Sequence, residues 1–328
     1  MEKEYQESSF AKHLPSKNLV LDGFHMHEFF RTMYERQKIF IKRNVIKEKA
    51  PWTNDPILRD NRFTNVYREL DRNSQWEIHN ILLDHSISKK DLIWKIIVFR
   101  LFNKIELFDF MGGIPNYDDF DQDEFLSVVT EFRATGQNPF TGSYYVNSTF
   151  GKGLSRDEAF CRLTLPKVHS VMPKIRKVLM KGTPEELHKL LLTIPGVGSF
   201  IAHEFYVSFT YAERYWKMPM NSWDENTWTN IGPGAELGLR LIMPNLSSDK
   251  ELKKGLERLR NISKSYLHEY FNDFEFYNWN KDIARRYFSK HGCNLTLHQI
   301  EMWACEYSKY WKMSIGKGKQ RSKFIAKI

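Results

Sequence analysis

The chain has 328 residues with 41% hydrophobic and 15% aromatic content, enough to bury one large core or two lobes. Its apolar runs, such as Leu92 to Leu101 and Leu190 to Ile194, are short and interrupted by charge, which excludes a membrane span of about 20 apolar residues. The formal charge of +9 creates a field that attracts polyanions, and nucleic acid is the commonest of these.

The opening MEKEYQESSFAKH is polar and lacks the apolar core of a signal peptide, so the expected location is the cytoplasm. Residues 24 to 49 place apolar residues at three- and four-residue steps among basic ones, which predicts an amphipathic helix ended by Pro51. A second helix is expected from about Arg62 to Asp71. A third covers Lys89 to Phe102, with Ser88 as its cap. Met111 to Asp123 is a glycine- and proline-bearing loop that leads into a helix over about Glu124 to Thr135. Gly136 to Ser155 interleaves glycines and polar residues with aromatics and reads as a structured loop.

Helices are expected again over Lys167 to Met180 and Pro184 to Leu192. Thr183 before Pro184, with Glu186 three residues on, is a helix-start signature. Pro244 to Ser248 breaks the pattern before a helix at about Lys250 to Phe271. A last helix is expected from Thr296 to Trp311, and the tail after it is basic. Cys161, Cys293 and Cys305 lie far apart without Cys-x-x-Cys or Cys/His spacing, so neither a disulfide framework nor a zinc site is expected. The fold class is all-α. The expected domains are an N-terminal helical extension over 1–50, a helical domain over 51–312 with a hairpin at 187–205, and a basic tail over 313–328.

Four segments carry candidate chemistry. LLLTIPGVGSFIAHEF fits two helices joined by a hairpin at Ile194 to Ser199. There Gly196 and Gly198 allow a tight turn, and with Ser199 they let backbone N–H groups approach a DNA phosphate at the positive end of the second helix. Such a grip binds backbone without reading bases; the plain alternative is an ordinary turn. The hairpin is similar to that of helix-hairpin-helix DNA glycosylases, in which an aspartate about a score of residues further on stabilises positive charge on the sugar. Asp224 sits near that place, with a helix N-cap in WDENTW as its alternative. Phe200 stands where the bifunctional glycosylases carry a Schiff-base lysine.

The segment GPGAELG, from Gly232, has no phosphate-loop pattern and reads as a turn that can still present amides to an anion. In PWTNDPILRDNRFTNVYRELDRNSQW, helical spacing puts Arg62, Asn65 and Arg68 on one face. That face is either a phosphate-binding cluster or a solvated, salt-bridged surface. IEMWACEYSKYW brings Glu301, Cys305, Glu306, Lys309 and Tyr310 within a few turns, and by itself reads as core plus surface ion pairs.

Taken in order, RFTNVYRELDR, PGVGSFIAHEF, DENTWTNIGPGAELG and IEMWACEYSKY resemble the phage alpha-glutamyl/putrescinyl thymine pyrophosphorylases and the helical domain of 5-hydroxymethyluracil DNA kinases. The matching positions are Arg62, Asn65, Arg68 and Asp71; Gly198, Phe200 and Ala202; Asp224 or Glu225 with Gly232, Pro233 and Gly234; and Glu301, Cys305, Glu306, Lys309 and Tyr310. The chain departs from the pattern at His203, Glu204, Ile231 and Met302. The resemblance implies a two-lobed, glycosylase-like helical fold. It also implies a transferase that replaces the pyrophosphate of pyrophosphorylated 5-hydroxymethyluracil in double-stranded DNA with an amino acid or polyamine, downstream of a 5-hydroxymethyluracil DNA kinase. Arg62, Asn65, Arg68, Gly232, Gly234 and Lys309 would hold the pyrophosphate, and Asp71, Asp224 and Glu306 are candidate bases. No cofactor is evident, and a divalent metal at the leaving group stays open. The alternatives are a DNA N-glycosylase and a DNA-binding partner of the kinase.

Overall fold

The structure is a computed structural model that describes residues 21–142, 150–216, 223–271 and 295–318. The polar N-terminus, the middle of the 136–155 loop, Cys293 and the end of the basic tail lie outside the described residues. Among the described residues there is no β-strand and no helix long and apolar enough to cross a membrane.

The chain divides into two compact units, one formed by residues 1–68 with 231–328 and the other by residues 69–230. The first begins with α1 (Gly23–Phe40), capped by the Asp22 side chain, which accepts from the His25 N–H. The helical path continues as a π-helical turn over Ile41–Ile46 and stops where Lys47 turns left-handed, four residues before Pro51. A short α2 (Pro56–Asp60) follows Asp55, whose side chain accepts from the backbone of Ile57 and Leu58. Here the sequence carries both helix-start signals, an N-cap aspartate and a proline at the first turn.

The helix expected from Arg62 does not form. Residues 62–67 are irregular, and only a 3₁₀ turn, Arg68–Leu70, closes the segment. Phe63, Val66, Tyr67 and Leu70 are all buried. These four fall at i, i+3, i+4 and i+7, the spacing of a helix face, but Asn65 and Glu69 between them are buried as well, so the segment is enclosed on more than one side and tertiary packing overrides propensity.

The second unit holds α3 (Arg72–Glu77), α4 (Lys89–Phe102), α5 (Ile105–Met111), α6 (Gln122–Ala134), α7 (Arg156–Ala159), α8 (Leu165–Lys181), α9 (Pro184–Leu191) and α10 (Ser199–Tyr215). Ser88 caps α4, and Thr183 with Glu186 forms a capping box at α9, as their spacing predicts. The core of this unit is built on α4 and α10, whose residues are buried almost all round. Polar groups inside it are paired: Arg100 donates to Glu77 Oε2 at 2.5 Å and to Ser208 Oγ at 2.7 Å. Arg214 ion-pairs with both Glu69 and Glu225, all three side chains being buried. Isolated buried charges are prohibitively costly, so each of these groups depends on its partner.

The chain returns to the first unit with α11 (Pro233–Ile242), α12 (Asp249–Tyr270) and α13 (Leu297–Ser314). The GPGA segment is therefore the start of a helix, with Gly232 at the N-cap and Pro233 in the first turn, rather than a free turn. Packing explains the spacing of its glycines. A Cβ on Gly238 would collide with the Ala304 carbonyl oxygen of α13, and one on Gly234 would lie 2.5 Å from Cys305 Sγ. Two glycines one helical turn apart let α11 and α13 approach closely. Helix α1 completes this core through Phe29, Phe30 and Met33, and the Trp303 indole donates to the Phe29 carbonyl at 3.1 Å.

Candidate functional site

Three of the four motif segments meet within the first unit, around the middle of α13. Glu301, Cys305 and Lys309 recur every four residues, so one stripe of the helix carries them, with Glu306 beside it. Glu301 Oε1 accepts the Gly232 N–H at 3.0 Å. The first amide of the GPGA helix start is thus satisfied by this chain's own carboxylate. Lys309 Nζ sits 2.5 Å from Glu306 Oε2, donates to the Arg62 carbonyl at 3.1 Å and lies 4.3 Å from the centre of the Phe63 ring. It clasps the arginine segment onto α13.

Cys305 lies at the centre of this group. It keeps an accessible surface, yet crowding by protein atoms pushes its thiol up to about 12. The carboxylates of Glu306 and Glu301 add to that shift, while Lys309 and Arg68 oppose it. The side chain is therefore a neutral thiol at physiological pH and not a nucleophilic thiolate. On the segment that Lys309 holds, Arg62 is exposed, Arg68 half-buried and Asn65 buried. The resemblance matches Cys305 and Glu301 without giving them a role. Their four-residue spacing to Lys309 is visible in the sequence, but the closeness of Gly234 and Gly232 to them is not.

Tyr310, next on α13, ties the cluster to its surroundings. Its hydroxyl donates to Asp55 Oδ2 at 2.7 Å and accepts from Arg31 Nη2 at 2.7 Å. Burial is the main reason its hydroxyl resists ionisation, and the hydrogen bond to Asp55 adds to it.

The other sequence-predicted residues belong to the second unit. Residues 192–198 form a tight turn between α9 and α10 that buries Ile194 and Val197. Gly196 has φ +79°, and a Cβ there would sit 2.6 Å from the Phe150 ring, so backbone and packing both demand glycine. Gly198 differs. Its φ is −87° and a Cβ there would meet nothing within 4 Å. No packing within the protein explains why it lacks a side chain. Ser199 Oγ donates to Asn230 Oδ1 at 3.1 Å and faces His188 Nε2 at 3.2 Å. Phe200 is 47% exposed.

Asp224 is not a helix N-cap, because residues 225–227 turn without forming a helix. It closes an Asx turn in which Oδ1 accepts from the Asn226 backbone at 2.8 Å and from its side-chain amide at 3.0 Å. The segment is held by Trp223, which donates to the Gly182 carbonyl at 2.7 Å, and by Trp228, whose carbonyl accepts from Tyr206 at 3.0 Å. Of the two adjacent acids, Glu225 is the buried one and serves Arg214. Asp71 occupies the N-cap position of α3, where its side chain makes no capping hydrogen bond. Among the described residues no group of three or more His, Cys, Asp or Glu side chains is gathered as a metal site.

Residues 24–320 match the family described as 5-hmdU DNA kinase, helical domain. The chain is also 27% identical over 297 residues to a 5-hmdU DNA kinase of Bacillus phage SP10, an alignment that covers 86% of this chain and 44% of the phage protein. It thus spans less than half the length of that relative. No solved structure matches the chain. Because the family match runs through both units and takes in every motif segment described above, the chain belongs to the 5-hmdU DNA kinase helical-domain family.

Proposed function

We propose that this chain acts in thymine hypermodification of phage DNA as the transferase that follows the kinase. It would take pyrophosphorylated 5-hydroxymethyluracil in duplex DNA and an amino acid or polyamine, working in the cytoplasm of the infected cell. The amine nitrogen attacks the methylene carbon on C5 of the base, and the carbon–oxygen bond breaks with its electron pair leaving on pyrophosphate. The proton lost by the amine passes to a carboxylate. The observation that carries the reading is the cluster in the first unit, where Lys309 pairs with Glu306, holds the Arg62 backbone and, with Arg68, lies close to the neutral thiol of Cys305.

In this reading the three cations stabilise charge growing on the leaving pyrophosphate. Arg62 and Arg68 supply planar, bidentate donors suited to phosphate oxygens. Of the three candidate bases, Glu306 is the best supported because it shares the unit and the ion pair of Lys309. Asp224 already serves its own turn. The Gly232 amide is already taken by Glu301, and Gly234 lies against Cys305, where a side chain would not fit. The target base would have to leave the stack to react, and the turn at Gly196, Gly198 and Ser199 would hold the DNA backbone. An N-glycosylase reading of the bifunctional kind is less well supported, since an exposed phenylalanine, Phe200, occupies the lysine position.

A second reading is favoured by the relative. A chain that matches 44% of a 5-hmdU DNA kinase fits a DNA-binding part that presents the base to a separate kinase activity. The test is pyrophosphate release from DNA bearing 5-pyrophosphoryloxymethyluracil, with amino acids or polyamines supplied. Release that is abolished in Glu306→Gln while DNA binding persists supports the transferase. DNA binding with no release supports the non-catalytic reading.

A further inference from the structure

We infer that the outer face of α8 is a second DNA-backbone binding surface, continuous with the turn at Gly198. The inference rests on the DNA-binding part of the proposed function and extends it to residues that no motif contains. Helix α8 buries Leu165, Val168, Val171, Met172, Ile175 and Leu179 against its own unit. Its opposite face exposes Lys167, Lys174, Arg176, Lys177 and Lys181. Lys167, Lys174, Lys177 and Lys181 follow one another at steps of seven, three and four residues, which is a single stripe on a helix of 3.6 residues per turn.

The stripe lacks what a solvated helix surface ordinarily carries. α8 contains no aspartate or glutamate. Among the described residues none of its five exposed cations takes part in an ion pair or hydrogen bond through its side chain, whereas neighbouring Arg162 pairs with Asp123 at 2.8 Å. The nearest acids beyond its C-terminal end are Glu185 and Glu186 of α9, and Glu186 is engaged in the Thr183 capping box. Unpaired like charges along one face repel one another, so the arrangement costs stability unless a polyanion covers it.

Position points to the occupant. Thr164, immediately before α8, donates through Oγ1 to the Pro195 carbonyl at 2.8 Å, which fixes the start of the stripe beside the turn that carries Gly196 and Gly198. From Lys167 to Lys181 the stripe runs about 21 Å, the axial rise of about six base pairs of duplex. A charge row of this length and sign, without base-reading groups, suits phosphates of one DNA strand and fixes register rather than sequence. Gly198, left bare with no packing reason, would let the same backbone approach the start of α10.

The test is binding of a 20-base-pair duplex by fluorescence anisotropy across a salt titration, using the full chain. Lys167→Gln, Lys174→Gln and Lys177→Gln combined should make the slope of log K against log salt shallower by about 2.7, because each phosphate neutralised by a lysine adds about 0.9 to its steepness. Affinity at low salt should fall by about 100-fold with an unchanged melting temperature. The control carries Lys250→Gln, Lys253→Gln and Lys254→Gln on α12, which changes net charge equally and should keep the slope. If wild-type protein binds the duplex and the α8 variant keeps its slope and affinity, the stripe is not a DNA surface, although the DNA-binding reading survives. If wild-type protein binds no duplex even at low salt, that reading fails and takes the stripe with it. A stripe-dependent slope seen only with duplex RNA would also overturn the inference.

Discussion

Lys309 Nζ donates to the carbonyl oxygen of Arg62 at 3.1 Å while sitting 2.5 Å from the Glu306 carboxylate. One ammonium therefore fastens an irregular arginine-bearing segment to α13 and balances the acid beside Cys305. Replacing it by methionine keeps much of the stem's packing on Phe63 and removes the charge. Lys309→Met should lower pyrophosphate release by about 100-fold, the usual scale for removing one group that stabilises leaving-group charge. Lys309→Arg should recover part of it. Equal rates for all three proteins would exclude Lys309 from charge stabilisation.

Cys305 offers a check on the electrostatics of the same cluster. Its folded-state value of about 12 lies above the ordinary thiol value of 9.0, so the folded protein favours the protonated form. Between pH 7 and 10 an unfolded thiol gains thiolate, while Cys305 does not. Iodoacetamide labelling of Cys305 at pH 8.5, followed by peptide mass spectrometry, should be more than about 100-fold slower in the native protein than in urea. Fast native labelling with a midpoint near 9 would show that neither burial nor the carboxylates of Glu306 and Glu301 hold the thiol protonated.

These two residues illustrate what a sequence can and cannot convey. The starts of α4 and α9 are readable because a cap is a local device: Ser88 and the Thr183–Glu186 pair act within one turn. The 62–67 segment reads wrongly as helix because its polar residues fall at three-residue steps, and the decisive fact, burial of Asn65 and Glu69 along with Phe63, Val66 and Tyr67, is tertiary. GPGA reads wrongly as a turn because two glycines flank a proline. Only the nearness of Cys305 to Gly234 and of Ala304 to Gly238 shows that these two glycines serve helix packing. At the site, the i, i+4 rhythm of Glu301, Cys305 and Lys309 is legible, while their partners at Gly232 and Arg62 lie far away in sequence.

The glycines themselves separate packing from function. Gly238→Ala must push α11 away from the Ala304 carbonyl, an overpacking cost of about 1–3 kcal/mol that outweighs the helix propensity gained. Its melting temperature should fall by several degrees. Gly198→Ala meets open space and an ordinary φ, so thermal stability should change by no more than about 1 kcal/mol. Its duplex affinity should nevertheless drop several-fold. If Gly198→Ala binds DNA as wild type does, the bare N-terminus of α10 does not touch the duplex.

Arg214 joins two buried carboxylates, Glu69 and Glu225. Arg214→Met takes the buried cation away from both acids and should destabilise the chain by about 3–5 kcal/mol at pH 7. Adding Glu69→Gln and Glu225→Gln should restore most of that stability, because neutral amides carry a smaller desolvation cost than buried charges. Thermal denaturation of the single and triple variants reads this directly. A triple variant as unstable as the single one would mean that Arg214 matters for packing rather than for charge.

Transferase activity is read from mass spectrometry of nucleosides from DNA bearing 5-pyrophosphoryloxymethyluracil after incubation with the purified protein and a mixture of amino acids and polyamines. The pyrophosphorylated nucleoside should disappear, a nucleoside carrying an amine or amino acid on the C5 methylene should appear, and Glu306→Gln should abolish the conversion. Unchanged nucleosides from DNA that the protein demonstrably binds would contradict that activity.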